Sequence, residues 1–194
     1  MDRATRTLLA QIQEQGRRHD AQEADHSKRF LHLEPDTAPL LSILVRSTRR
    51  TNVLEIGTST GYSTIWLADA LRTTGGHLTS IERDATKQAR ADTHLRRCEL
   101  RDLVDLVQGD ATAVVEELPG PFDLIFFDAD RTSAPAQVER LLPKLTPNVL
   151  LLADNALSHP HEMAAYLSAV AALPGFEALT LPVGKGLHLA YRGS

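Results

Sequence analysis

From residue 52 onward, short apolar runs alternate with stretches whose apolar residues recur at helical spacing. The runs at 52–57, 76–82, 104–110, 122–130 and 148–155 predict strands. Each is followed by a helical pattern, at 62–71, 84–99, 111–118, 134–145 and 160–173. The end of the chain differs. Two strand patterns, 176–183 and 186–192, flank Gly184-Lys185-Gly186, a hairpin signal. Upstream, Leu8, Leu9 and Ile12 predict a helix over 3–15, and the charged segment to about residue 29 fits either helix or loop. Residues 34–49 predict a second helix, with Asp36 or Thr37 as N-cap and apolar residues at 40, 41, 44 and 45.

Five strand–helix units in series predict an α/β fold: a mainly parallel, doubly wound sheet with helices on both faces. The terminal hairpin adds an antiparallel strand, and the first two helices form an N-terminal helical addition. No repeat or linker divides the 194 residues. The prediction is one domain, 1–194, made of a helical cap (1–50) and an α/β core (51–194). Sheets of this kind bind ligands outside the carboxyl ends of their strands, at the point where strand order reverses.

Bulk composition narrows the function classes. Lys plus Arg is 21 against 25 Asp plus Glu, a formal net charge of −4. No basic run is longer than two residues, so nucleic acid is disfavoured as a partner. No stretch reaches membrane-spanning length, and the polar first twenty residues lack a signal-peptide core. A lone cysteine, Cys98, allows neither an intramolecular disulfide nor a cysteine-based zinc site. It reads as a helix-face residue, and the set suggests a cytoplasmic protein.

The strand ends carry the candidate chemistry. After the first comes Glu55-Ile-Gly57-Thr-Ser59-Thr-Gly61-Tyr-Ser63. Its glycines permit a sharp turn and close approach to a ligand, or simply a structural turn. The following helix N-terminus favours an anion. Ser59 stands where a dinucleotide fingerprint needs its second glycine, so that fingerprint fails. Glu55 would suit a ligand bearing an ammonium group. Glu82, followed by Arg83 and Asp84, closes the second strand and is placed to accept the hydroxyls of a ribose. After the third strand, Gly109, Asp110 and Ala111 stand where a base could lie, although Asp110 reads equally as a helix cap. The fourth strand ends in Asp128-Ala-Asp130-Arg131 and the fifth in Asp154-Asn155. Two neighbouring strands ending in hard oxygen donors suggest a magnesium- or calcium-type cation.

Together these motifs closely resemble class I S-adenosylmethionine-dependent O-methyltransferases, in particular the small bacterial relatives of the catechol and caffeoyl-CoA O-methyltransferases. The resemblance runs from about residue 35 to the C-terminal strand. It implies a Rossmann-like, seven-stranded sheet with an antiparallel strand added last. It implies that Glu55, Gly57, Ser59, Gly61 and Ser63 cradle the methionine part of S-adenosylmethionine. Glu82, with Arg83 beside it, would hold the ribose, and Gly109, Asp110 and Ala111 would flank the adenine. Asp128, Asp154 and Asn155 would ligate a divalent metal, Mg²⁺ first among candidates, with Asp128 also near the donor's amino group. The acceptor would be a small molecule with two adjacent hydroxyls, and a homodimer through the N-terminal helices is the accompanying expectation.

One position departs from the catechol-type pattern. Three residues after the metal-type Asp128, where a general-base lysine is typical, stands Arg131. Arginine stays protonated and cannot take the hydroxyl proton, but it can stabilise an oxyanion or bind an acidic acceptor. Either the metal alone makes the acceptor anionic, or another base serves, with His159 or His161 nearest in sequence, or activity is reduced or redirected. The rival readings are a metal-independent methyltransferase acting on another nucleophile and an NAD(P)-dependent oxidoreductase.

Overall fold

Seven strands form one sheet in a computed structural model that describes residues 1–193; Ser194, the last residue of the assigned domain, lies outside the described residues. They are β1 (Asn52–Ile56), β2 (His77–Glu82), β3 (Val104–Gln108), β4 (Phe122–Phe127), β5 (Leu145–Ala153), β6 (Phe176–Leu181) and β7 (Leu187–Arg192). Their order is β3-β2-β1-β4-β5-β7-β6, with β7 antiparallel to both neighbours and every other pair parallel. The helices are α1 (Arg3–Gln22), α2 (Thr37–Ser47), α3 (Tyr62–Thr74), α4 (Ala85–Arg97), α5 (Ala111–Glu117), α6 (Ala134–Leu141) and α7 (Pro160–Ala171). The doubly wound sheet and its antiparallel end agree with the sequence pattern.

The central strands β1, β4 and β5 are buried on both faces over most of their paired length, which is why they read as almost continuous apolar runs, while the edge strands β3 and β6 are partly exposed. Alternate residues serve opposite layers. Val53, Leu124, Phe126, Leu150 and Leu152 pack with α1, α2 and α3. Leu54, Ile56, Ile125, Phe127, Leu151 and Ala153 pack with α6 and α7. Among the described residues, no helix is long and apolar enough to cross a membrane.

Three boundaries differ from the pattern. Helix α1 runs to Gln22 rather than stopping near 15, because its inner face stays buried through Ile12 and Gly16. Its start is fixed by the Asp2 carboxylate, which accepts from the Thr5 N–H at 2.7 Å. Helix α6 ends at Leu141, and a 3₁₀ turn over Leu142–Lys144 leads straight into β5. Pro143 lacks the N–H that would continue the helix, so Leu145 joins the sheet opposite Phe122, earlier than residue 148. Cys98, at the end of α4, is buried, and burial pushes its thiol pKa up, which marks it as a packing residue.

Strand order reverses between β1 and β4. There Gly57 has φ +108°, and a Cβ built on it would lie 2.2 Å from the Asp128 carbonyl oxygen. Gly75, at the end of α3, has φ +72° but open space around an added Cβ. Gly57→Ala is therefore expected to cost roughly 3 kcal/mol or more, and Gly75→Ala about 1 kcal/mol, in urea denaturation. Equal costs would show that the close pass at residue 57 is not a constraint.

Candidate functional site

The carboxyl ends of β1, β2, β4 and β5 open into one cleft of about 630 Å³. On the β1 side, the Gly57 and Thr58 N–H groups both donate to Ile81 O, tying the loop to β2. Ser59 takes a left-handed conformation, φ +46°, and its N–H donates to Glu82 Oε2 at 2.8 Å. The other Glu82 oxygen accepts from the Asp84 N–H at 2.9 Å, so this carboxylate is anchored at the rim of the cleft. Asp84 caps α4 and Asp110 caps α5, each accepting from two backbone N–H groups.

Glu55 lies behind this wall. It is fully buried, and its Oε2 accepts from the Thr64 and Ser80 hydroxyls, each at 2.6 Å. Ser80 is its cross-strand partner on β2. Burial pushes the Glu55 pKa up, against the hydroxyl hydrogen bonds that favour its charge. Its Oε1 has no hydrogen-bond partner among the described residues. Gly61 is also outside the cleft lining: its φ of +91° starts α3, and a Cβ there would touch Ala91 on α4 at 3.1 Å.

A strap between α1 and α2 covers the loop. The rings of His19, Phe30, His32 and Tyr62 stack in sequence, with centroids 3.9, 5.8 and 5.7 Å apart. Ser59 Oγ donates to Phe30 O at 2.6 Å, and His32 Nε2 lies 2.6 Å from Thr60 Oγ1. The His32 ring fits because residue 16 is glycine; a Cβ there would lie 2.4 Å from Nδ1. Burial, opposed by Asp20, pushes the His32 pKa down to about 4.

At the far end of the cleft, Asp128 and Asp154 each stand one residue beyond the paired Phe127 and Ala153, and the Asp154 N–H donates to Phe127 O. Burial and then the facing Asp154 and Glu55 carboxylates raise the Asp128 pKa; burial pushes Asp154 up to about 6. Asp154 Oδ1 is buried without a partner among the described residues, while Oδ2 accepts from Asn155 Nδ2 at 3.0 Å. Two confronted carboxylates and one orphaned oxygen fit a hard divalent cation. Among the described residues no third His, Cys, Asp or Glu joins the group; the Asn155 amide stands beside Asp154.

Two ion pairs flank these acids. Arg131 Nε donates to Glu162 Oε2, and Lys185 Nζ lies beside Glu34 Oε1, both at 2.7 Å. His159 begins α7 with its Nδ1 2.8 Å from Ser158 Oγ. Of the sequence-predicted residues, Gly57, Ser59, Ser63, Glu82, Arg83, Gly109, Asp110, Ala111, Asp128, Arg131, Asp154, Asn155 and His159 line the one cleft. His161 is exposed outside that lining. Sequence reasoning missed Phe30, His32 and Glu162, which line the cleft from a segment without a regular pattern or from an exposed helix start, and Glu34, which reaches it through Lys185. An arginine in place of a general-base lysine was the one available hint of a carboxylate nearby.

A family model described as a methyltransferase domain matches residues 54–156. The catechol O-methyltransferase of Niastella koreensis is 35% identical over 66% of this chain and 59% of its own length. That of Mycobacterium tuberculosis is 33% identical over 60% of this chain and 53% of its own. The alignments thus span little more than half the length of these curated relatives. Among solved structures, an O-methyltransferase from Bacillus cereus in complex with SAH has a TM-score of 0.82 and 26% identity, covering 96% of this chain and 90% of that one. The O-methyltransferase TomG from Streptomyces achromogenes, in complex with SAM, has a TM-score of 0.80 and 25% identity, covering 100% and 91%.

The buried His32 yields a sign-definite expectation. Its folded pKa of about 4 lies below the 6.5 of an unperturbed histidine. Between those values the unfolded chain binds more protons. Its contribution to stability is complete above pH 6.5 and lost as pH falls towards 4, by roughly 3 kcal/mol in all. Urea denaturation at pH 7 and pH 4.5 should show a smaller acid loss for His32→Gln than for the wild type. Identical losses would contradict the buried neutral imidazole.

Proposed function

The chain belongs to the methyltransferase domain family, and on that premise we propose that it transfers a methyl group from S-adenosylmethionine to a hydroxyl oxygen of a small vicinal dihydroxy compound, assisted by a divalent cation. The observation that supports this most is the confrontation of Asp128 and Asp154 in the same cleft as the Glu82 carboxylate. One end offers an acceptor for sugar hydroxyls, and the other a cation seat, about where a Rossmann-like sheet holds its ligand. The SAH- and SAM-bound structural neighbours and the catechol O-methyltransferase relatives point the same way.

In this reading Glu82 accepts from the ribose hydroxyls, and the loop from Gly57 to Ser63 surrounds the methionine portion. The glycine at 57 leaves no side chain between the ligand and the strand ends. Glu55 acts from behind: the Thr64 and Ser80 hydroxyls favour its carboxylate against the burial that raises its pKa, and in that charged form it places negative potential under the amino-acid end of the donor. Asp110 holds α5 in place, and the Gly109–Ala111 backbone borders the adenine. Asp128, Asp154 and Asn155 would hold the cation, which when bound lowers the pKa of an acceptor hydroxyl and orients it. Transfer then depends mainly on alignment and charge stabilisation.

Arg131 cannot accept the hydroxyl proton. Its Nε is engaged by Glu162, and the rest of its guanidinium is assigned to steadying the acceptor oxyanion. His159 is the proton acceptor on the cleft wall: with hydrogen on Nδ1, donated to Ser158, its Nε2 lone pair is free.

Two outcomes test the assignment. With catechol and Mg²⁺, methylated product should form, and Asp154→Ala should lower turnover about 100-fold or more while S-adenosylhomocysteine still binds. Turnover that survives both the substitution and metal chelation would overturn the metal role. Arg131→Lys should raise the acceptor KM about tenfold with a smaller effect on kcat, because the planar fork that meets the acceptor is lost. Unchanged kcat and KM would remove Arg131 from the site.

A further inference from the structure

A second groove, about 360 Å³, lies on the other side of the strap from the cleft, between α1 and α4. Phe30, His32 and Thr60 line it on one side; Arg90, Thr93 and His94 line it from α4. The size is within the range of small-molecule sites. No carboxylate lines it. Asp20, the acid that acts on His32, has its two oxygens occupied by the Phe30 and Leu31 N–H groups. Lys87 adds positive charge towards His32, and Arg97 adds it towards His94.

Arg90 is the anchor. Farther along α4 and just after it, Arg96 and Arg101 both pair with Asp92. Arg90 has no ion pair or side-chain hydrogen bond among the described residues; its guanidinium rests 5.0 Å from the centre of the Phe30 ring. In a chain of net charge −4, a concave site lined by one guanidinium without a side-chain partner among the described residues favours an anion.

We propose that this groove is a second ligand site, for a small organic anion carrying a carboxylate or phosphate that pairs with Arg90, and that it communicates with the cofactor cleft through Thr60. Thr60 is held twice. The His94 Nδ1–H donates to Thr60 O at 2.8 Å, because a carbonyl can only accept, and His32 Nε2 meets the Thr60 hydroxyl at 2.6 Å. Phe30 and His32 line both the groove and the cleft. A ligand seated against Arg90 and His94 therefore bears on the wall that encloses the glycine loop. The communication rests on the methyltransferase reading; the anion site does not.

The test uses the full chain at low ionic strength, where an exposed cation is least screened. Benzoate and inorganic phosphate are titrated separately into the wild type, Arg90→Ala and Ala89→Trp, the last placing a bulky ring from the exposed face of α4 into the groove. Expected is saturable benzoate binding that weakens at least tenfold in both variants, while both bind S-adenosylhomocysteine within about threefold of the wild type. Phosphate following the same pattern would mean that the anion alone is recognised; phosphate failing where benzoate binds would mean that the ring is read as well. Saturating benzoate should also change S-adenosylhomocysteine affinity at least threefold in the wild type and not in Arg90→Ala. No saturable benzoate binding, or binding that both variants retain, overturns the site. An unchanged S-adenosylhomocysteine affinity overturns the communication. Benzoate binding in a protein that fails to bind S-adenosylhomocysteine would sink the function proposed above and leave the groove standing.

Discussion

The backbone leaves β1 so close to the end of β4 that a single methyl group at residue 57 would lie 2.2 Å from the Asp128 carbonyl. This pass is possible because residue 57 is glycine, free to take φ +108°. Its consequences reach in both directions. Gly57 and Thr58 can hang on Ile81 O, so the loop turns over β2 and delivers Ser59 to Glu82. Asp128, whose N–H donates to Ile56 O, is held at the strand end beside Asp154. The Glu82 end and the Asp128–Asp154 end of the cleft, proposed for the nucleoside and the cation, thus hinge on one crowded crossing of backbone.

The acids of the site show how strand parity sorts function. Glu55, Asp128 and Asp154 all fall on the register that faces α2 and α3 lower in the sheet. Within the core that register is filled by Val53, Phe126 and Leu152. A carboxylate on it is tolerable where hydroxyls satisfy it, as Thr64 and Ser80 do for Glu55, or where the strand has run out into the cleft. Asp128 and Asp154 have the second escape and pay with raised pKa values, the condition a bound divalent cation would relieve.

Much of this was legible in the sequence. The alternation of apolar runs and helical patterns located five strands and the glycine-flanked hairpin signal the last two; the central strands, buried on both faces, left least ambiguity. The residues just past Ile56, Glu82, Gln108, Phe127 and Ala153 do converge on one cleft. Depth was not legible. Glu55 and Gly61 look like loop-wall residues in a linear motif, and only the parity of β1 and the approach of α4 place them behind the wall. The strap was not legible either. His32 meets Thr60 across 28 residues, and its place depends on a glycine on α1, so no periodicity marks it. The start of β5 was hidden because Leu145 follows an apolar run that fits a helix until Pro143 is weighed.

The central claim is that the cleft at the β1–β4 crossing is an S-adenosyl site in which Glu82 holds the sugar. Calorimetric titration of S-adenosylhomocysteine into the wild type and Glu82→Ala, with NAD as control and thermal melting to verify the fold, tests it most directly. The account predicts one-to-one binding to the wild type, at least a tenfold loss in the variant, and no heat with NAD. Saturable binding of NAD without binding of S-adenosylhomocysteine would contradict it.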